Sequence, residues 1–365
     1  VLKLGAQWQP VYSGGGPSRA AVSGTWYNSG DIITGITPGN VGLRFKTLAG
    51  WILPELGGAK VEAGKTTRTT GEYYRVLIIH KSDYNGDGTD DLAVFNKATG
   101  MWSVASISKP AAVPSAVTLF ETKFGTEKDI PASGDYDGDG VADLAYWRET
   151  TGEWRVNKQF VLKNFGEEHD IPVPGDYNGD GTTAPALFRP SSGEWLIFNA
   201  ETRKTTKVSF GGFGDVPVPG NYDADSARMT DLAVYNVETR KWRVATYDAN
   251  KNKWVERKTL KVGKKHVKVR VSYGDIGNVP VQADYDGNGA TDLAVYVRGD
   301  SMWNVRDQFE VKLGATGDVP VPNDWAGLGR VIPTIFHPQN GRWISINNLL
   351  RTKYGKGGLP LMSGR

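Results

Sequence analysis

The stretch DIPASGDYDGDGVADLAYWRETTGEWRV, residues 129–156, contains one complete copy of the unit from which this chain is built. It is typical of a short strand, an acidic glycine-rich loop, a second strand, a tight turn and a third strand that carries a tryptophan. Related copies begin at Lys81, Asp170, Asp215, Asn278 and Asp318, and an eroded copy spans residues 41–53. Helical periodicity is absent, so the repeat predicts an all-β protein.

One tryptophan per copy marks the length of the repeat. These residues lie 40 to 61 positions apart, at Trp51, Trp102, Trp154, Trp195, Trp242, Trp303 and Trp343. A period of about 40–50 residues is typical of a four-stranded propeller blade. The C-terminal KYGKGGLPLMSGR resembles the segment before each acidic loop and stops where a loop would begin. We therefore expect one domain over residues 1–365, a seven-bladed β-propeller whose closing blade combines residues 1–50 and 344–365.

The position of a tryptophan relative to the repeat predicts its role. A large aromatic residue at a fixed blade position usually fills the space between neighbouring sheets, so the repeat tryptophans are expected in the core. The tryptophans outside the repeat register are candidates for surface contacts, namely Trp8, Trp26, Trp147, Trp254 and Trp325.

Composition excludes several classes of protein. The chain has no cysteine, which rules out disulfides and zinc-thiolate sites. No window approaches the ~20 apolar residues of a membrane-spanning helix. The net charge of +3 is uneven, because residues 251–270 contain nine Lys or Arg and one Glu, or +8, and the remaining chain carries −5. Positive charge confined to one segment of an acidic body argues against a nucleic-acid partner.

The acidic loops carry the most specific chemistry. In DxDxDGxxD, side-chain oxygens at positions 1, 3, 5 and 9 and the carbonyl at position 7 can surround a cation of calcium size. Three copies are complete, and their expected ligands are Asp83, Asn85, Asp87, Thr89 and Asp91; Asp135, Asp137, Asp139, Val141 and Asp143; and Asp284, Asp286, Asn288, Ala290 and Asp292. We expect about three structural Ca²⁺ sites, since the loops bring no associated His or Lys base for catalysis.

Three further loops depart from this pattern. The first keeps Asp176, Asn178 and Asp180 but has Ala184 at position 9. The second keeps Asn221, Asp223 and Asp225, and a two-residue insertion is expected to displace its closing acid, Asp231. We expect weaker cation binding at both. The third, at Asp324, retains only its first acid and is expected to bind no metal.

Copies of DYDGDG followed by DLAVY, together with FG dipeptides and GEW turns, resemble bacterial FG-GAP or VCBS-type repeats, which are related to the calcium-binding propeller repeats of integrin α subunits. The resemblance is strong over residues 81–346. It implies a seven-bladed propeller with calcium in its interstrand loops, secretion or display at the cell surface, and a role in adhesion, glycan binding or assembly. It implies no single ligand, because one fold supports many functions.

Three classes of function remain open. A binding or adhesion module for a glycan or a cell-surface protein is favoured. A structural subunit of a surface layer, sheath or filament, assembling with other surface subunits, is the first alternative. A polysaccharide lyase or hydrolase is the second; it would need a positioned base and an Arg, and the four histidines have no recognisable catalytic companions.

Residues 249–273 form the outlier of the repeat pattern. This insert lengthens one copy, and alternation in VKVRV predicts a basic hairpin. One interpretation is a solvated edge ribbon whose lysines prevent unwanted strand pairing. The other is a contact for an acidic polysaccharide through Trp254, Lys258, Lys261, Lys264, Lys265 and His266.

Overall fold

The structure is a computed structural model. It describes residues 6–11, 25–34, 36, 38–55, 58–73, 78–79, 81–107, 115–157, 159–225, 228–346 and 350–363. No helix in this part of the chain has the length and apolar composition needed to cross a membrane.

Six antiparallel sheets of the described chain follow the repeat, and we call them blades 1 to 6. Five have four strands, and blade 4 has a fifth, Val271–Ser272. The strands of each blade are given from the inner strand outward. Blade 1 contains Leu359–Pro360, Leu92–Asn96, Met101–Ile107 and Ala116–Lys123. Blade 2 contains Asp129–Pro131, Ala145–Arg148, Glu153–Val156 and Val161–Leu162; blade 3 contains Ile171–Pro172, Ala186–Arg189, Glu194–Asn199 and Lys204–Ser209. Blade 4 contains Asp215–Pro217, Leu232–Asn236, Lys241–Asp248 and Lys253–Arg257; blade 5 contains Val279–Pro280, Ala294–Val297, Met302–Val305 and Phe309–Lys312. Blade 6 contains Val319–Pro320, Thr334–His337, Arg342–Ser345 and Arg351–Lys353.

Backbone hydrogen bonds between acidic loops join these blades into a closed ring. The residue before position 9 of each loop donates its N–H to the carbonyl of the first loop residue in the preceding blade. The six bonds are Ala142 to Asp83 at 2.6 Å, Thr183 to Asp135 at 2.7 Å, Thr230 to Asp176 at 2.6 Å, Thr291 to Asn221 at 2.6 Å, Val331 to Asp284 at 2.8 Å and Asp90 to Asp324 at 3.2 Å. The last bond returns to blade 1. The prediction of an all-β, propeller-like repeat fold is confirmed.

The described blades close the ring at six, so the expected count of seven is wrong for this part of the chain. The C-terminal strand Leu359–Pro360 pairs with Leu92–Asn96 and completes blade 1 without residues 1–50. The described part of the N-terminal region forms its own four-stranded sheet instead, from Gln7–Val11, Tyr27–Asn28, Gly39–Phe45 and Gly58–Val61. Residues 1–5, 12–24, 35 and 37 of the expected closing blade lie outside the described residues. A further strand pair joins Ile78–Ile79 and Met362–Ser363.

The blade tryptophans occupy the core as predicted. Six of them, Trp102, Trp154, Trp195, Trp242, Trp303 and Trp343, are fully buried. In blades 1 and 3 the indole N–H of Trp102 or Trp195 donates to the carbonyl of Phe124 or Phe210, 2.7 Å away in each case. These acceptors are the Phe of the FG dipeptides, so the dipeptide anchors the connection between consecutive blades.

Other tryptophans correct the sequence interpretation. Trp147 and Trp325, expected at the surface, are 0% and 3% exposed. Trp51, expected in a seventh blade, lies in the connection between the strands Gly39–Phe45 and Gly58–Val61 of the N-terminal sheet and is half-buried. Neighbouring repeats place two aromatic residues per blade in the core, and sequence register alone does not distinguish them from surface residues.

We name the two ends of the ring by their connections. The acidic-loop face contains the loops between the first and second strands, and the turn face contains the turns between the second and third strands. Residues 47–55 run across the turn face. Thr47 bonds to Glu238 of blade 4, the carbonyl of Leu53 accepts from Arg298 of blade 5 at 3.4 Å, and the amide of Gly299 donates to Glu55 at 2.8 Å.

Ring closure by the C-terminal strand gives a direct stability test. Leu361 is 0% exposed, and its amide donates to the carbonyl of Ala93 at 3.0 Å. We expect Leu361→Ala to destabilise the protein by about 2–5 kcal/mol, because it leaves a cavity where the ring closes. Leu359→Ala, at a side chain that is 41% exposed, should change stability by about 0.5 kcal/mol or less. Urea denaturation of both variants measures the difference, and equal midpoints would contradict closure by this strand.

Candidate functional site: the acidic loops

The first residue of each complete loop is held by its own loop backbone. In Asp135 one carboxylate oxygen accepts the Gly138 amide at 2.8 Å and the other accepts the Gly140 amide at 3.0 Å. Asp83, Asp176 and Asp284 make the equivalent pairs of bonds. The glycines at these two positions in the Asp135 loop have φ of 78° and 94°, a region that glycine adopts without strain. The DxDGDG spacing therefore builds the loop before any ion is considered.

The closing acid at position 9 is oriented in the same way in four blades. One oxygen of Asp143 accepts the amide of Tyr136, at position 2 of the same loop, at 2.8 Å. Asp91, Asp231 and Asp292 accept the corresponding amides of Tyr84, Tyr222 and Tyr285. This bond turns the second carboxylate oxygen toward the loop centre.

Two loops gather three carboxylates each. Carboxylate oxygens of Asp135, Asp137 and Asp143 lie within 4.8 Å of one another, and so do those of Asp284, Asp286 and Asp292. The expected ligand positions 1, 3 and 9 thus converge in blades 2 and 5. In blade 2 the ammonium of Lys81 lies 3.3 Å from Asp135 Oδ2, which adds a positive charge at the edge of that loop.

The blade 1 loop carries the clearest sign of an unmet requirement for a cation. Asp91 is 0% exposed, and its Oδ1 is buried without a hydrogen-bond partner in the described structure. Burial, with smaller contributions from Asp83 and Asp87, raises the pKa of Asp91 to about 7. A buried carboxylate oxygen without a donor is costly unless a proton or a cation compensates it. The oxygen-rich donor set of this loop suits a hard cation of calcium size.

The other closing acids have the same electrostatic character. Burial raises the pKa of Asp292 to about 6 and also raises the pKa of Asp143 above its usual value. In blade 4 burial, reinforced by Asp223, raises the pKa of Asp231 well above its usual value. In each loop the neighbouring carboxylates repel one another. A bound cation would offset both this repulsion and the cost of burying the closing carboxylate.

The blade 4 loop differs from its sequence expectation. Its two-residue insertion does not displace Asp231, which bridges to Gly220 in the way that Asp143 bridges to Gly134. In the same loop the Met229 amide donates to Asp225 Oδ1 at 3.1 Å. Blade 4 therefore keeps a closing acid, whereas blade 3 has Ala184 at the equivalent bridge.

The residues expected to contact a polyanion divide into two groups. Thr259–Val262 and Lys265–Lys268 form a two-stranded hairpin, with Lys258, Lys261, Lys264, Lys265 and His266 exposed on it or beside it. Trp254 lies instead in the outer strand of blade 4, half-buried, with its ring 5.6 Å from Tyr247 and 6.4 Å from Tyr177. The hairpin insert is therefore narrower than residues 249–273, because residues 253–257 and 271–272 pair with blade 4.

The raised pKa of Asp91 predicts how the ion-free protein responds to pH. Between about pH 4 and pH 7 the folded protein holds a proton at Asp91, whereas the unfolded chain, with a pKa near 3.8, has lost it. Stability of the ion-free protein should fall as pH rises through this range. Melting temperatures of chelator-treated protein at about pH 5 and about pH 7.5 measure the fall.

Asp91→Asn provides the control for this experiment, because it removes the titrating group and keeps the shape of the side chain. The variant should lose less stability than the parent between the two pH values. An equal loss in both proteins would show that Asp91 does not titrate in this range.

Comparisons with known proteins complete the description. No protein-family model matches the chain, and no curated protein sequence matches it. Among solved structures, it is similar to BBS1N in complex with ARL6DN, with 10% identity, a TM-score of 0.40 and coverage of 76% of this chain and 81% of that one. It is similar to an auxiliary nutrient binding protein from Bacteroides thetaiotaomicron, with 9% identity, a TM-score of 0.32 and coverage of 86% and 70%. It is also similar to the exotype rhamnogalacturonan lyase YesX, with 12% identity, a TM-score of 0.24 and coverage of 93% and 67%.

Proposed function

We propose that this protein is a calcium-stabilised binding module of the cell exterior that attaches to an acidic polysaccharide through its basic hairpin. The observation that carries the binding role is a folded hairpin with one buried apolar side and one exposed cationic side. Calcium in the acidic loops would stabilise the ring that supports the hairpin by compensating the buried closing carboxylates.

The hairpin is anchored to the ring by its apolar side. Leu260 is 6% exposed and pairs across the hairpin with Val267, and both pack on the large core cluster of blades 4 and 5. Arg306 of blade 5 donates to the carbonyl of Lys268 at 2.7 Å. The two strands pair with each other and not with the edge of a blade. These contacts argue against the interpretation of the hairpin as a solvated edge ribbon, because its lysines do not lie along an unpaired edge strand of a blade.

The cationic side of the hairpin has no acidic partner in the described structure. Lys261 and His266 face each other across the two strands, Lys264 and Lys265 lie at the turn, and Lys258 lies at the open end of the hairpin. No ion pair of the described residues involves these lysines, whereas nearby Arg270 pairs with Glu256 at 3.5 Å. Concentrated positive charge is relieved when a polyanion binds and releases its counterions.

A polysaccharide fits this surface better than a nucleic acid. Nucleic-acid sites combine basic residues with aromatic side chains that stack on bases. Trp254, the aromatic residue closest in sequence, packs between blades 3 and 4 and does not extend the hairpin surface.

Calcium is the cation we propose for the loops of blades 1, 2 and 5, with blade 4 as a fourth candidate because Asp231 remains in place. Extracellular calcium modules have dissociation constants of about 10⁻⁴–10⁻³ M, which suits loops whose rims face solvent. We also propose that the protein acts outside the cell and is related to FG-GAP or VCBS-type repeat proteins. The ring nevertheless has six described blades, whereas that resemblance implies seven.

Of the alternatives, a lyase would need a base and cationic groups gathered at the ring axis. Among the residues that line the cavity on the turn face there are one histidine, one arginine, two lysines and no tyrosine. The arginine, Arg189, is committed to Asp170 at 2.9 Å. This geometry favours binding over catalysis.

Loss of calcium should destabilise the protein. At a free ion concentration 100 times the dissociation constant, each site contributes about 2.7 kcal/mol. Asp139→Ala, which removes the carboxylate at loop position 5 of blade 2, should remove one bound ion in calorimetric titration and lower the melting temperature in calcium. Asp180→Ala makes the same change at the same position of the blade 3 loop, which lacks a closing acid, and should remove none. An unchanged melting curve on chelation would contradict the assignment.

Removal of hairpin charge should weaken polysaccharide binding. The variant in which Lys258, Lys261, Lys264 and Lys265 become Ser should elute from immobilised polygalacturonate at lower salt than the parent, because fewer counterions are released. The control changes the same net charge at four exposed lysines elsewhere, Lys123, Lys163, Lys204 and Lys312. Equal elution of the two variants would remove the hairpin from the proposal.

A further inference from the structure

A cavity of about 860 Å³ opens at the ring axis on the turn face, away from the acidic loops. Inner-strand residues of three blades, Ile130, Val319 and Leu359, contribute to its wall. Residues 46–51 also line it, and in this segment Thr47 bonds to Glu238 of blade 4. Its volume lies in the range of sites for small molecules, about 300–1,000 Å³. Neither the hairpin nor the calcium loops use this cavity.

We propose that this cavity is a second binding site, for a neutral polyhydroxylated ligand such as the end of an oligosaccharide chain. The proposal does not depend on the hairpin. Its three supports are exposed aromatic surface, a strained histidine in the wall and balanced charge.

Aromatic side chains face the cavity from two sides. Phe213, in the connection between blades 3 and 4, is 62% exposed, which is unusual for a phenylalanine in a concave site. Trp51, in the lining segment of residues 46–51, contributes a half-buried indole. Its position is fixed by the turn before it, where Gly50 has φ of 76° and a Cβ would lie 2.8 Å from Pro190. Flat apolar rings of this kind stack on the CH faces of sugar rings.

His169 stands in the wall at a position where blades 4, 5 and 6 have glycine. Its φ is 74°, and the matching residues before blades 4, 5 and 6 are Gly214, Gly277 and Gly317, with φ of 85°, 89° and 89°. Glycine would adopt this conformation without strain, so histidine here stores local strain. The side chain is exposed on the cavity wall and supplies both a donor and an acceptor to a ligand hydroxyl.

The charges of the wall nearly cancel. Arg189 is shared among Asp170, Glu167 and Glu194, at 2.9, 3.3 and 3.3 Å. The remaining charged groups of the lining are Lys46, Lys97, Glu149 and Glu168. A balanced set of this kind disfavours a strongly charged ligand, while free carboxylate oxygens accept hydrogen bonds from hydroxyl groups. A polyhydroxylated neutral molecule fits both the aromatic and the polar parts of the wall.

The test is calorimetric titration of the calcium-loaded full chain with cellohexaose, xylohexaose, mannohexaose and, as the acidic probe of equal length, hexagalacturonate. At least one neutral hexasaccharide should bind, with a dissociation constant below about 1 mM. Phe213→Ala should weaken this binding about tenfold, the size of one lost stacking contact. Leu328→Ala is the matched control, because Leu328 is 53% exposed on the acidic-loop face and should leave binding unchanged.

His169→Gly separates a ligand-binding role from a structural one. The variant should lower affinity severalfold while its melting temperature stays equal or rises, because the strain is removed. Three results would overturn the proposal. The first is that no neutral probe binds at about 10 mM. The second is that hexagalacturonate binds in the cavity more strongly than the neutral probes, and the third is that affinity is unchanged in both Phe213→Ala and His169→Gly. The hairpin lysine variant should bind the neutral probe normally, so this test fails or succeeds independently of polyanion binding.

Discussion

The ring of backbone hydrogen bonds between consecutive acidic loops is the constraint on which the structure depends. Inner strands of only two or three residues, such as Ile171–Pro172, offer little contact between blades. The loops supply it, since each places a carbonyl where the next blade has an N–H, as in Thr183 to Asp135. Close packing accompanies the bonds: a Cβ on Gly134 would lie 2.5 Å from Thr183. Buried backbone groups need partners, so a loop that lost its shape would leave groups unpaired in two blades.

The first acid of a loop serves both the ring and the proposed ion site. Its carbonyl joins the next blade, and its carboxylate accepts two amides of its own loop. Blade 6 shows that the backbone arrangement needs no ion, because Asp324 accepts the amides of Leu328 and Gly329 while Ile332 replaces the closing acid. Demand for a cation arises instead from the buried closing carboxylate, as at Asp91. Ion dependence should therefore follow the number of buried closing acids rather than the number of repeats.

The two faces of the ring are consequently available for different purposes. Hydrogen bonds between loops occupy the acidic-loop face, where substitutions affect closure. The turn face is open at the axis except where residues 47–55 cross it, and the cavity remains beside that segment. His169 and Phe213 belong to connections between blades, and these connections can vary because the FG anchor before each one is made by backbone and indole groups. The connections between blades can therefore contain a strained residue and an exposed aromatic side chain while the ring stays closed.

The all-β class, the buried blade tryptophans and the alternating oxygen groups of the loops follow from local spacing, and the sequence by itself determined them. The number of blades depends on contacts between distant residues. The sequence allowed the C-terminal tail to pair with residues 1–50, but Leu359–Pro360 pairs with Leu92–Asn96 instead. Asp231 keeps its bridge to Gly220 despite the insertion, and Trp51 lines the cavity instead of packing in a blade. Only the tertiary structure decided these points, because a pattern defines which segments can pair, whereas the choice among them depends on packing between residues distant in sequence.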